Sequence, residues 1–207
     1  MAVGAALLLL ATTPSARADT SAARTAVDET VAEVLVVLAD PALSAEQRRQ
    51  AIEAIAWERF DFETMSRLVM ARNWRKLSPD QQSDFVQQFK KHLSRSYGGR
   101  IERYDQESVE VLGERLETKG DVTVKTRIVG GEADGVEVQY RLRGRDGPWG
   151  IIDVVIEGVS LVSSFRSQFK EVIERDGVEG LLEKLREKNQ APEGVTADAP
   201  AGAQPPA

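Results

Sequence analysis

The chain has 207 residues, enough for one domain with a substantial core, and its formal net charge is −6. That acidity excludes a general nucleic-acid binder, whose affinity comes largely from a basic face. With no cysteine and one histidine, disulfides, thiolate chemistry and zinc ligation of the usual kind are excluded as well, so no metal or cofactor is expected.

Residues 2–11 form a short apolar run, and Ala16-Arg17-Ala18 is a small-x-small cleavage signal. Residues 1–18 are therefore read as a secretory signal peptide, because ten apolar residues are too few to span a bilayer. The mature domain covers 19–190. Losing the leader removes Arg17 and no acidic residue, which takes the charge from −6 to −7.

A helical stripe of Val27, Val31, Val34, Leu35 and Leu38 ends at Asp40-Pro41. Ser44 followed by Gln47 is a capping-box pattern, and the helix after it carries Ile52, Ile55 and Trp57. Asp61 caps a third helix with Phe62, Met65, Leu68 and Val69 on its inward face. Ser78-Pro79-Asp80-Gln81 is the clearest helix start in the chain, with Ser at the cap, Pro at the first helical position and Gln three residues after the Ser. From there Phe85, Phe89, Leu93 and Tyr97 recur every four residues, and Gly98-Gly99 is a suitable stop.

Past Tyr104 the period changes to two. Val109 and Val111 open it; then Val122, Val124, Thr126 and Ile128 alternate with mostly polar neighbours, as do Val136, Val138, Tyr140 and Leu142. Turns at residues 130–135 and 146–148 suit an antiparallel meander. Its most buried strand is 149–156, an apolar run interrupted by Asp153, and Val159, Leu161 and Val162 extend that run. Ser163 or Ser164 then caps a helix bearing Phe165, Phe169, Val172 and Ile173, which Asp176-Gly177 ends. Val178, Leu181, Leu182 and Leu185 mark a last helix. Residues 191–207, rich in Ala, Pro and Gly, read as a disordered tail. The succession of helices, sheet and helices is α+β.

Residues 60–104, FDFETMSRLVMARNWRKLSPDQQSDFVQQFKKHLSRSYGGRIERY, and 149–169, WGIIDVVIEGVSLVSSFRSQF, are similar to the MlaC (toluene-tolerance) family of periplasmic phospholipid-binding proteins. The resemblance runs over residues 27–188. It implies a curved antiparallel sheet wrapped by helices around an apolar cavity, the NTF2-like fold, with phospholipid acyl chains inside. It also implies a monomeric periplasmic shuttle between an outer-membrane lipoprotein–porin complex and an inner-membrane ABC transporter with a substrate-binding ring, maintaining outer-membrane lipid asymmetry.

The expected cavity residues are Phe85, Phe89, Leu93 and Tyr97 on the helix, with Val124, Val138, Tyr140 and Val154 on the sheet. Ordinary close-packed core is the competing reading of the same pattern, since periodicity does not separate a core from a cavity. Asp153 needs a partner if buried. One reading makes it the general base of an NTF2-like isomerase or hydratase acting on a small apolar substrate. The favoured reading is structural, with Asp153 held by Arg166, another basic residue or backbone N–H groups; Arg166 also suits a lipid phosphate. His92 is expected on the surface. The basic and aromatic residues at Trp74-Arg75-Lys76 and in 95–103 read first as a solvated face, and otherwise as a docking surface for anionic headgroups or a membrane-bound partner.

Overall fold

The computed structural model describes residues 20–101, 106–144 and 147–191, without the side chains of 99–101. The expected leader and the tail beyond 191 lie outside the described residues. Helices α1 (Thr20–Ala39), α2 (Ala45–Arg59), α3 (Phe62–Met70) and α4 (Pro79–Ile101) come first, with a 3-10 turn at Ala71–Lys76 between the last two. Strands β1 (Ser108–Leu116), β2 (Val122–Val129), β3 (Glu137–Arg143), β4 (Gly150–Ile156) and β5 (Val159–Ser160) follow, and α5 (Leu161–Gln190) closes the chain. The architecture is α+β, as the pattern of periods predicts.

The starts of α2, α3 and α4 are each explained by a side chain that satisfies an otherwise unpaired N–H. At α2 the Ser44 hydroxyl accepts from Gln47 N–H (3.3 Å) while the Gln47 side chain accepts from Ser44 N–H (2.9 Å). Ser78 and Gln81 repeat the arrangement at α4, at 3.2 and 2.9 Å. Asp61 caps α3 by accepting from Thr64 N–H at 2.8 Å.

The sheet is an antiparallel meander in the order β1-β2-β3-β4-β5. Its register puts Val124 beside Tyr140 and Tyr140 beside Val154, and in the next row Thr126, Val138 and Ile156 lie side by side. Bulges at Val111/Gly113 and at Arg141/Leu142 bend the outer and inner strands. Helix α1 packs on β1 and β2, and α3 and α5 pack on β4. An Arg24–Glu114 ion pair at 3.5 Å ties α1 to the edge strand. Beyond β5, Asp61 N–H bonds to the Ile151 carbonyl (2.9 Å), so the far edge of β4 is covered by the α2–α3 junction.

Several local expectations change. Helix α4 runs through Gly98-Gly99 to Ile101 instead of stopping there. A glycine pair weakens a helix by only about 1 kcal/mol per residue, less than the packing of the turns before it contributes. The apolar run of β4 does not continue through Val162. Glu157 and Gly158 both adopt positive φ, 47° and 80°, the conformation of a two-residue hairpin turn, and the chain folds back as β5. The cap of α5 is accordingly Ser160, whose hydroxyl accepts from Ser163 N–H at 3.0 Å, and not Ser163 or Ser164. Gly177, at φ 73° and ψ −179°, interrupts α5 where the sequence predicts an end, and the helix resumes with Leu181, Leu182 and Leu185 buried.

The stripe of α2 is a further departure, because none of its residues is buried and Trp57 is 48% exposed. Arg49 pairs with Glu46 and Glu53 within the helix, and the polar contacts that reach other elements are Arg59 to Glu33 and Glu29 of α1 and Ser94 of α4 to Glu53. Exposed pairs of this kind each contribute about 0–1 kcal/mol, so they add little to the attachment of α2. Among the described residues no helix is long and apolar enough to cross a membrane.

Candidate functional site

All eight residues expected at the cavity belong to one contiguous apolar interior, but they divide into two groups. Phe85, Phe89 and Val124 are fully buried and Val154 is 7% exposed. Leu93, Tyr97, Val138 and Tyr140 pack against this core yet keep accessible surface.

The division follows from what faces each residue. Phe85 and Phe89 stack at 5.8 Å, and the Phe165 and Phe169 rings of α5 meet them edge-on at 5.4–5.9 Å. Trp74 closes the far side of Phe85 at 6.3 Å. The first two turns of the aromatic stripe are therefore sealed core, and the next two turns, with Leu93 and Tyr97, are not. On the sheet, Val138 and Tyr140 stand on the central strand with a hydrogen-bonded strand on either side, and both keep part of their surface accessible.

Tyr140 is half-buried and its phenol lies in an apolar environment. Burial alone pushes its phenol from 10.0 up to about 12, and no hydrogen bond reaches its hydroxyl among the described residues. A folded-state pKa above the unfolded one means that the stabilisation is complete below about pH 10 and is lost as the pH rises through about 12. An alkaline spectrophotometric titration should thus show a late phenolate step, which Tyr140→Phe removes; a Tyr140 that ionises near pH 10 while the protein is still folded would place it in solvent.

A second apolar surface lies apart from these residues. Ala32, Glu33, Val36 and Val37 of α1 and Ile55 of α2 line an open groove of about 500 Å³. Val36 is 71% exposed there. None of the eight expected residues lines this groove.

Asp153 is 2% exposed and its two oxygens are both occupied. Oδ2 accepts from the Ser160 hydroxyl at 2.6 Å and Oδ1 from Val162 N–H at 3.1 Å. Because Ser160 donates its proton to Asp153, its lone pair is left to accept from Ser163 N–H. The carboxylate also sits at the positive end of α5, where a negative charge is stabilised by the helix dipole. Arg166 does not pair with Asp153: its Nε donates to the Leu68 carbonyl at 2.8 Å and ties α5 to α3. The two residues expected to act together are thus held by different partners, and Asp153 is fixed by hydroxyl and backbone donors.

His92 is 2% exposed, against the expectation of a surface residue. It sits on the row Phe85, Phe89, His92, Ser96, and its ring meets Phe165 edge-on at 5.6 Å. Alternating steps of four and three along the helix would have put it on the buried face; counting steps of four alone hid it. Among the described residues no cluster of His, Asp and Glu could hold a metal ion.

A family model described as MlaC protein matches residues 28–187. The toluene tolerance protein ttg2D of Pseudomonas putida is 26% identical over 118 residues, which cover 56% of this chain and 55% of that protein. The chain therefore spans about half the length of that curated relative. A solved structure of the phospholipid-binding protein from Ralstonia solanacearum, in complex with a phospholipid, is 28% identical and superposes with a TM-score of 0.70 over 82% of this chain and 96% of its own.

Proposed function

Because this chain belongs to the MlaC family, we propose that it is a periplasmic phospholipid carrier, taking up acyl chains between the sheet and the second half of α4. Leu93, Tyr97, Val138 and Tyr140 line the site, while Phe85, Phe89, Val124 and Val154 form the closed wall behind it. The observation that carries this reading is the accessible apolar surface at the centre of the sheet, in a fold shared with a protein solved in complex with a phospholipid. In this reading the donor and acceptor are an outer-membrane lipoprotein–porin complex and an inner-membrane ABC transporter with a substrate-binding ring.

The physical chemistry of the cargo explains why a carrier is needed. Two acyl chains hold about thirty methylenes, and at ~0.8 kcal/mol each their exposure to water would cost on the order of 24 kcal/mol. A dry protein interior makes exchange with a bilayer nearly neutral, so direction has to come from the partners. Such a carrier needs no catalytic group. The engagement of both Asp153 oxygens by the α5 cap supports a structural role for it over that of a general base for an isomerase or hydratase.

Added bulk tests the site, because the two groups of residues respond oppositely. Val138→Trp is expected to fold and melt cooperatively but to lose co-purifying phospholipid, read by lipid extraction and native mass spectrometry. Val124→Trp, at a closed position, should instead lose about 1–3 kcal/mol of stability. A Val138→Trp protein that keeps its full complement of lipid would remove the site from this location.

A further inference from the structure

From Thr64 to Pro79 the chain carries Arg67, Arg72, Arg75 and Lys76 and not one Asp or Glu, on a protein whose net charge is −6. Glu63, the last carboxylate before this stretch, is paired with Arg67, and the next is Asp80 at the start of α4. Arg72, Arg75 and Lys76 are exposed on the 3-10 turn, and none of them forms an ion pair or a side-chain hydrogen bond among the described residues. The Arg166–Leu68 hydrogen bond brings a further exposed guanidinium from α5 to the end of α3, beside this turn.

The turn is also rigidly mounted. Trp74 packs edge-on against Phe85, the Arg67 guanidinium lies 6.0 Å from the Trp74 ring centre, and Leu77 is 6% exposed. The Gln82 side chain donates to the carbonyls of both Trp74 (3.1 Å) and Leu77 (3.4 Å), and so holds the turn from α4. Three cations presented by an anchored turn lose little conformational freedom on binding, which is the condition for electrostatic attraction to appear as affinity. At physiological ionic strength charges are screened within about 8 Å, so this local excess, and not the net charge, governs what happens at a close surface.

We propose that the turn Ala71–Lys76, with Arg166 beside it, is a docking surface for the anionic headgroups of a phospholipid bilayer. It rests on the carrier reading only in that a lipid carrier has reason to approach a membrane; the attraction itself does not depend on an occupied cavity. A lone headgroup would meet one or two of these cations, whereas a charged plane meets all of them at once.

The test is co-flotation of the full chain with vesicles of phosphatidylglycerol mixed into phosphatidylcholine, against phosphatidylcholine alone. Binding is expected only to the anionic vesicles and should weaken steeply with added salt. Each cation near such a surface is worth about a factor of five, so Arg72→Gln, Arg75→Gln and Lys76→Gln together should lower partition about 100-fold. A control triple, Lys119→Gln, Lys125→Gln and Arg141→Gln, changes net charge equally and should keep most of the binding. Equal losses in the two triples, or no preference of the wild type for anionic vesicles, would overturn the proposal. Because the first triple leaves the interior untouched, its co-purifying phospholipid should be unchanged; a wild type that carries no lipid but still binds anionic vesicles would sink the carrier reading and leave this one standing.

Discussion

Phe89→Ala is expected to lower the unfolding free energy by about 3–5 kcal/mol, the largest effect of any single substitution considered for this protein. Phe89 has no accessible surface and touches three rings, Phe85, Phe165 and Phe169, at centroid distances of 5.4–5.9 Å. Truncation removes the transfer free energy of the ring and leaves a void that the rigid edges of the other three fill poorly, since α4 and α5 are both held by further contacts. These include Asn189 to the Gln88 carbonyl (2.9 Å) and Arg186 to Asp84 (2.6 Å). Urea denaturation should show a lower midpoint with an unchanged slope. Leu93→Ala, one turn further on and partly accessible, should cost clearly less. If Phe89→Ala cost under about 1 kcal/mol, the aromatic cluster would be looser than described, and the division between closed wall and open site would fail with it.

Asp153 is the site of the second large effect, and two substitutions there separate its possible roles. Asp153→Ala strips the Ser160 hydroxyl and Val162 N–H of their acceptor in a region closed to water, and weakens the α5 cap. An unsatisfied buried group costs about 1–3 kcal/mol, so a loss of about 3 kcal/mol is expected. Asp153→Asn can keep both contacts: its carbonyl accepts from Val162 N–H, and its amide donates to the Ser160 hydroxyl, which then has to accept from Ser163 as well. The asparagine variant should therefore lose only about 1 kcal/mol, most of it from the missing charge at the helix N-terminus. A general base would behave in the opposite way, with Asn as damaging to turnover as Ala. Thermal melts and lipid content of the two variants decide this; equal destabilisation by both would show that the charge, and not the cap geometry, matters.

Much of this protein is written in local sequence. The capping pairs Ser44/Gln47 and Ser78/Gln81 act over three residues, and both are present as expected. The alternation of β2 and β3 places Val124, Val138 and Tyr140 on one face, because side chains in a strand alternate with period two whatever else surrounds them. These signals suffice for the order of elements, the α+β class and the set of apolar residues that face inward. Long similar segments supplied the family, which no periodicity would have supplied.

The tertiary structure alone decided how that inward set is used. Phe85 and Phe89 are closed because Phe165 and Phe169, some eighty residues away, stand against them, and nothing in the spacing of α4 distinguishes those two turns from the turns of Leu93 and Tyr97. Asp153 and Arg166 look like a pair by charge. Yet the hairpin turn at Glu157-Gly158 brings Ser160 and Val162 to the carboxylate, and the packing of α5 on α3 brings the Leu68 carbonyl to the guanidinium. Gly98-Gly99 fails as a stop for the same reason: propensities of about 1 kcal/mol yield to packing that sums over several turns. Local sequence sets what each residue prefers, within a few tenths to one kcal/mol; which residues meet across the chain, and whether they meet tightly or leave room for a ligand, is set by contacts that exist only once the sheet and helices have closed on each other.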